Sequence, residues 1–306
     1  MEEYDDYDFG SASKMKMILA ALDLEIRSDA VLARAVQLAV THAAQLVLLH
    51  VIERETLSYV AGVSGRSETD LQDELKQQML TRLEALLSET GRTRRSVCRV
   101  EFGSPHEVIT RVAREISAGL IVIGPGKTQS LKEKILGSTA DRVIRTAPTP
   151  VLVVRRQPVK PYIQVAVAVD FSPQSAAAAR EAHKLAPDGK ITLIHVDDIP
   201  LTVEQVMLRA GTSQAAMEEY RSARITKASH DLAGFALEVA GPSKTQKRNL
   251  QGVPGVVLGR LSRSSRVDLL ALGPHGRNVI LPTLLGSVTQ RVLKEAACDV
   301  LVAGPR

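Results

Sequence analysis

Short apolar runs alternate along this chain with longer stretches in which apolar residues recur at helical spacing. Residues 17–22 (MILAAL), 45–51 (QLVLLHV), 97–102, 120–123 and 151–154 read as five strands, mostly without the polar alternation of a half-exposed strand. Between them, Ser28 predicts the cap of a helix reaching about residue 44, with Leu32, Val36, Leu38 and Val40 among its apolar positions. Residues 69–88 repeat Leu71, Leu75, Met79, Leu83, Leu86 and Leu87 at helical spacing, and Gly91 stops that helix. Ser104 and Pro105 supply the N-cap and first position of the next, which carries Val108, Ile109, Val112 and Ile116. The Gly- and Ser-containing stretch from Glu53 to about residue 67 reads as a surface loop.

After the polar, proline-containing segment RRQPVKP at 155–161, the series starts again. Strands are expected at 165–169 (VAVAV), 191–196 (ITLIHV), 267–272 (VDLLAL) and 300–303, with a helix opened by Ser172 and Pro173 and a long helical region over 203–239. A loop with Lys244, Lys247 and Arg248 stands where the third strand of the first series was, followed by a helix over 253–262. Gly286 and Ser287 head a last amphipathic helix with Val288, Val292 and Ala296 on one face.

The restart is a duplication. Gly273 follows Gly124 by 149 positions, Gly286 follows Gly137 by 149, and Asp170 follows Asp23 by 147. LGSTADRVIRTAPTPVLVVR and LGSVTQRVLKEAACDVLVAGPR share Leu, Gly, Ser, Arg and Val in register. Alternating strands and helices imply parallel sheets with helices on both faces, because crossovers between parallel strands are right-handed. The expected division is a disordered acidic tail at 1–14, a first domain at 15–155, a linker at 156–162 and a second domain at 163–306.

Strand, glycine loop and helix N-terminus occur in that order in both halves, and the order has a chemical use. A helix N-terminus leaves backbone N–H groups unpaired and carries about half a positive charge, so an anion is stabilised there. Gly273, Gly276 and Gly286 allow the backbone to come close to a phosphate, and the Ser287 hydroxyl is one more donor. The first half repeats this with Gly124, Gly137 and Ser138 but holds Lys127 where the second has Gly276. Lys127 either blocks a phosphate by its bulk, or by demanding a strained φ, or pairs with it through its ammonium, and Gly126 offers a turn shifted by one residue. A turn with a helix cap and no ligand is the plain alternative for either loop, as is a loop-capping role for Asp23 and Asp170.

Composition narrows the rest. The 306 residues are 44% hydrophobic and 24% charged, as in a globular protein large enough for two domains. The net charge of +5 is spread along the chain, aromatic residues make up 3% and Trp is absent, which argues against nucleic-acid binding. No run is long enough to cross a membrane, and the acidic N-terminus is unlike a secretory signal, so the expected location is cytoplasmic. Cys98 and Cys298 have neither metal nor disulfide spacing and read as small buried residues. His50 and His195 sit in apolar strands and read as satisfied core or edge histidines. His106 and Glu107 lack the second His of a zinc motif, and no Gly-x-Ser-x-Gly occurs. GPGKT at 124–128 fails as a P-loop because the required upstream glycine is Ile121.

Taken together, a first strand ending in Asp, a second ending in His-Val, Gly-x2-Gly-x9-Gly-Ser and a closing Pro-Val-Leu-Val-Val strand resemble the universal stress proteins in their tandem, two-domain form. The resemblance implies two Rossmann-like, adenine-nucleotide-binding domains of five strands each. It implies ATP as ligand, with or without Mg, and a regulatory stress-response binder rather than an enzyme. An interaction scaffold with vestigial pockets and a slow ATP hydrolase are the alternatives. By this resemblance Gly273, Gly276, Gly286 and Ser287 hold phosphates, Asp170 lies near the ribose or metal, and the backbone at Val196 reads the adenine edge. Asp23, Val51, Gly124, Gly137 and Ser138 stand in the same places in the first half. The resemblance also implies that the closing strands pair the halves as an intramolecular pseudo-dimer, with a homodimer of chains left open.

Overall fold

A computed structural model of the chain describes residues 15–24, 28–90, 95–126, 136–157, 160–198, 201–240, 245–277 and 284–305. The expectations for the acidic tail, the Ser28 cap, the Gly91 stop, Lys127 and Lys244 lie outside the described residues or side chains.

In the first half, β1 (Met17–Ala21), α1 (Ser28–His42), β2 (Gln45–Ile52), α2 (Arg54–Ser64), α3 (Glu68–Thr90) and β3 (Ser96–Phe102) come in turn. Then follow α4 (Pro105–Glu115), β4 (Leu120–Ile123), α5 (Ser138–Thr146) and β5 (Val151–Val153). The second half contains β6 (Gln164–Val169), α6 (Pro173–Leu185), β7 (Lys190–Asp197), α7 (Leu201–Arg209), α8 (Gln214–Ala240) and β8 (Gln246–Gln251). It closes with α9 (Pro254–Ser262), β9 (Leu269–Leu272), α10 (Ser287–Glu295) and β10 (Asp299–Val302).

The ten strands among the described residues form one sheet in the order β3-β2-β1-β4-β5-β10-β9-β6-β7-β8. Pairing within each half is parallel, and β5 meets β10 antiparallel. The strands inside the sheet are buried on both sides of the pleat. Ile18, Ala20, Leu46 and Leu48 enter one apolar core, while Leu19, Val47, Leu49 and Ile121 enter the other across the sheet. This two-sided burial is why the strands read as continuous apolar runs. In each half the first strand has the second on one side and the fourth on the other. That reversal of strand order opens a crevice at the carboxyl ends.

Five local expectations are corrected. The residues after Glu53 form α2, not a loop; only its Leu57 and Ala61 are buried, one turn apart, so the apolar signal is faint, and Gly65 ends it with φ 65°. Residues 246–251 are a third strand, not a loop. As an edge strand with a largely exposed face it pairs through its backbone with Thr192–Asp197, so Lys247 and Arg248 cost the ladder nothing and guard the open edge. The long helical region is two helices, α7 and α8, separated around Gly211, whose φ is 76°. Val40 is 67% exposed and Cys98 is only half-buried, whereas Cys298 is fully buried.

Candidate functional site

The second-half crevice is a cavity of about 320 Å³ whose lining includes Asp170, Val196, Gly273, Gly276, Gly286 and Ser287, all six residues expected there. β9 delivers Gly273, β6 delivers Asp170 and β7 delivers Val196, while Gly286 is the N-cap of α10 with φ −64° and ψ 152°. Among the described residues no side chain caps α10, and its first-turn amides lack intrahelical acceptors. The loop is closed on itself: Gly286 N donates to Pro274 O at 2.9 Å, and the Thr289 hydroxyl donates to Gly273 O at 2.8 Å.

Glycine here answers to space rather than to φ. A Cβ on Gly276 would stand 2.9 Å from Asp170 Oδ2, and one on Gly286 would stand 3.1 Å from His275 Cα. Neither has a left-handed backbone.

Asp170 ties the crevice together. Its Oδ1 accepts from Ser172 N at 3.0 Å and from Ser172 Oγ at 2.5 Å, and its Oδ2 accepts from Arg277 N at 3.2 Å. The carboxylate thus starts the turn into α6, where Ser172 caps through Ser175 N at 3.2 Å, and also anchors the glycine loop. Phe171, the next residue, has φ 62°, and its counterpart Leu24, next to Asp23, has φ 59°. Two bulky residues held left-handed at equivalent places mark strain repeated at the mouth of both crevices.

The first-half crevice is larger, about 530 Å³, and its lining includes Asp23, Val51, Gly124, Gly137 and Ser138. Gly137 N donates to Pro125 O at 2.8 Å, the same closure as in the second half. The left-handed turn falls at Gly126 (φ 85°), whose Cβ would stand 2.9 Å from Gly137 Cα. Thr56 of α2 lines this cavity too, a contribution hidden by reading that segment as loop.

His50 and His195 are held alike. Each Nδ1 lies 2.8 Å from the carbonyl at the end of the neighbouring strand, Leu22 O and Val169 O, and since a carbonyl only accepts, Nδ1 carries the proton. Burial pushes the His50 pKa below its ordinary value. Both rings line their cavities, and the Phe171 ring lies 4.6 Å from that of His195. The sequence did not single out Phe171, Arg277 or His275 as site residues. His275 replaces Gly126 of the first loop and keeps a buried Nδ1 without a hydrogen-bond partner. Among the described residues no cluster of His, Cys, Asp and Glu could hold a metal ion, and no helix is long and apolar enough to cross a membrane.

Two parallel α/β units, each with a crevice at the carboxyl ends of its strands and a glycine loop leading into a helix, define a tandem Rossmann-type protein. The profile of the Universal stress protein family matches residues 14–155 and again 161–304, and the chain belongs to that family as a tandem of two such domains. A universal stress protein of Mycolicibacterium smegmatis is 27% identical over 299 residues, covering 94% of this chain and 97% of that protein. One from Methanocaldococcus jannaschii is 29% identical over 157 residues, 46% of this chain and 96% of its own. The crystal structure of a universal stress protein from Archaeoglobus fulgidus has the same fold, with a TM-score of 0.66 at 19% identity, covering 94% of this chain and 98% of that one.

Proposed function

We propose that this chain binds an adenine nucleotide such as ATP at the second-half crevice, and acts as a stress-linked regulatory binder rather than as a catalyst. The observation that carries the reading is the loop at α10. Helix amides that no described side chain caps border the cavity, where Gly276 and Gly286 let the loop close tightly against Asp170 and His275, with the Val196 strand end beside it. Amides and helix dipole suit the phosphates, and backbone groups at Val196 suit the adenine edge. A volume of about 320 Å³ lies at the lower end of the ~300–1,000 Å³ of ordinary ligand sites. The first-half crevice, with Asp23, Val51, Gly124, Gly137 and Ser138, is a second site of the same kind, in the unit spanning 15–155; the site at α10 belongs to the unit spanning 163–306.

Isothermal titration of the native chain with ATP tests the reading, against Gly276→Val and Gly286→Val variants. Each added side chain meets Asp170 or the His275 backbone, so binding at the second site is expected to be lost. The same number of bound nucleotides at the same affinity in native and variant chains, or no binding to the native chain, contradicts it.

A further inference from the structure

The seam between the halves has a backbone that does not distinguish one half from the other. In the β5/β10 pair Leu152 lies opposite Leu301, Val151 opposite Val302 and Val153 opposite Val300. Leu152 and Leu301 are equivalent positions, 149 apart, so the register is self-complementary in the manner of a two-fold dimer interface. Strand and apolar layer alone would equally let two first halves or two second halves pair.

One side of this seam carries a buried polar cluster. Asp299, 1% exposed at the start of β10, accepts from Arg155 N at 2.7 Å and Arg156 N at 3.2 Å through Oδ1, and from the Tyr162 hydroxyl at 2.6 Å through Oδ2. Across the seam, Nε of Arg34 from α1 lies 3.3 Å from the same Oδ2 as an ion pair without hydrogen-bond geometry, its side chain 6% exposed. The Arg34 guanidinium lies 3.9 Å over the Tyr162 ring and donates to Lys160 O at 3.2 Å. Among the described residues the opposite side shows no such charged pair. The position equivalent to Asp299 is Pro150, and the one equivalent to Arg34, offset by 147 like the aspartates, is Glu181.

We propose that this one-sided cluster makes the seam selective, so that the only partner the β10 edge accepts is a first half. Pairing two first halves would bury Arg34 beside Pro150 with no carboxylate to meet it. Pairing two second halves would turn Glu181 toward Asp299, carboxylate against carboxylate, and would put Pro305, which has no N–H, where Arg156 donates to Asp299. A buried charge without its counter-charge is strongly unfavourable, so the cluster discriminates by what it forbids. A first half of the same chain, or of a second copy exchanging its halves, satisfies it; a like half does not.

The test uses the full-length chain with a protease recognition sequence inserted after Gln157. Isotopically labelled and unlabelled preparations are folded, cut, mixed and read by native mass spectrometry. Native halves are expected to remain associated, and to form first–second pairs only. An Arg34→Met/Asp299→Leu double variant, which replaces the ion pair by apolar groups of similar size, is expected to stay paired but to raise the fraction of like-half pairs by at least about tenfold. Should that variant not fold, Tyr162→Phe keeps both charges, removes the 2.6 Å bond, and is expected to raise that fraction about threefold. Cut native halves that separate, like-half pairs already abundant in the native chain, or a fraction that neither variant changes would each overturn the proposal.

Discussion

Asp170→Asn is the most searching perturbation of the second-half crevice. The native carboxylate takes three donors, two from Ser172 at the turn into α6 and one from Arg277 N in the glycine loop. An amide has one accepting oxygen. The Ser172 pair, with the shorter contacts, keeps it, which turns the amide NH2 toward the Arg277 N–H, donor against donor. A hydrogen bond to a charged group contributes about 1.5–3 kcal/mol, and its loss frees the loop from the end of β6. Ordering that loop again on binding offsets up to that amount, so nucleotide affinity is expected to fall by roughly 10- to 150-fold. Titrating ATP and AMP, each with and without Mg²⁺, reads the effect, and all four affinities are expected to fall together. Unchanged affinities would refute the positioning role. A loss confined to the titrations with Mg²⁺ would instead make Asp170 a metal ligand.

Two further outcomes follow from burial. Burial lowers the pKa of His42, His50 and His183, so below about pH 6.5 the unfolded chain takes up protons that the folded rings resist. Stability is expected to be level above that pH and to fall toward about pH 5, seen as a falling urea midpoint; His183→Met should flatten part of the slope, and a flat profile in the native chain contradicts the assignment. Burial beside Asp299 pushes the Cys298 thiol up to about 12, so iodoacetamide at mildly alkaline pH is expected to leave Cys298 unmodified until urea is added; peptide mapping that finds it alkylated in the folded chain refutes this.

The glycines and aspartates that line the two crevices could be named from the sequence, because the feature that places them is periodic and repeated. Apolar runs buried on both faces announce parallel strands, and glycines at fixed offsets announce where backbone must come close to backbone or ligand. Asp23, Asp170 and the two glycine loops therefore stood out. What escaped was whatever draws its stability from partners distant in sequence. β8 carries no apolar pattern because its hydrogen bonds come from β7, and α2 carries little because only Leu57 and Ala61 are buried. The tether of Asp170 spans 107 residues to Arg277, and no local spacing encodes it.

The amino-acid order by itself determined that this protein is one α/β unit made twice, with a glycine turn leading into a helix in each copy, since strand burial and helix starts are local matters. The closing strands pair the copies as the resemblance implied, and tertiary structure alone decided which buried charges meet there. Leu152 and Leu301 look the same in sequence, and only the folded chain brings Arg34 and Tyr162 to Asp299 on one side of the seam and leaves Pro150 without a counterpart on the other. Buried charge is paired across space rather than along the chain, so its partners become known only when the chain has closed on itself.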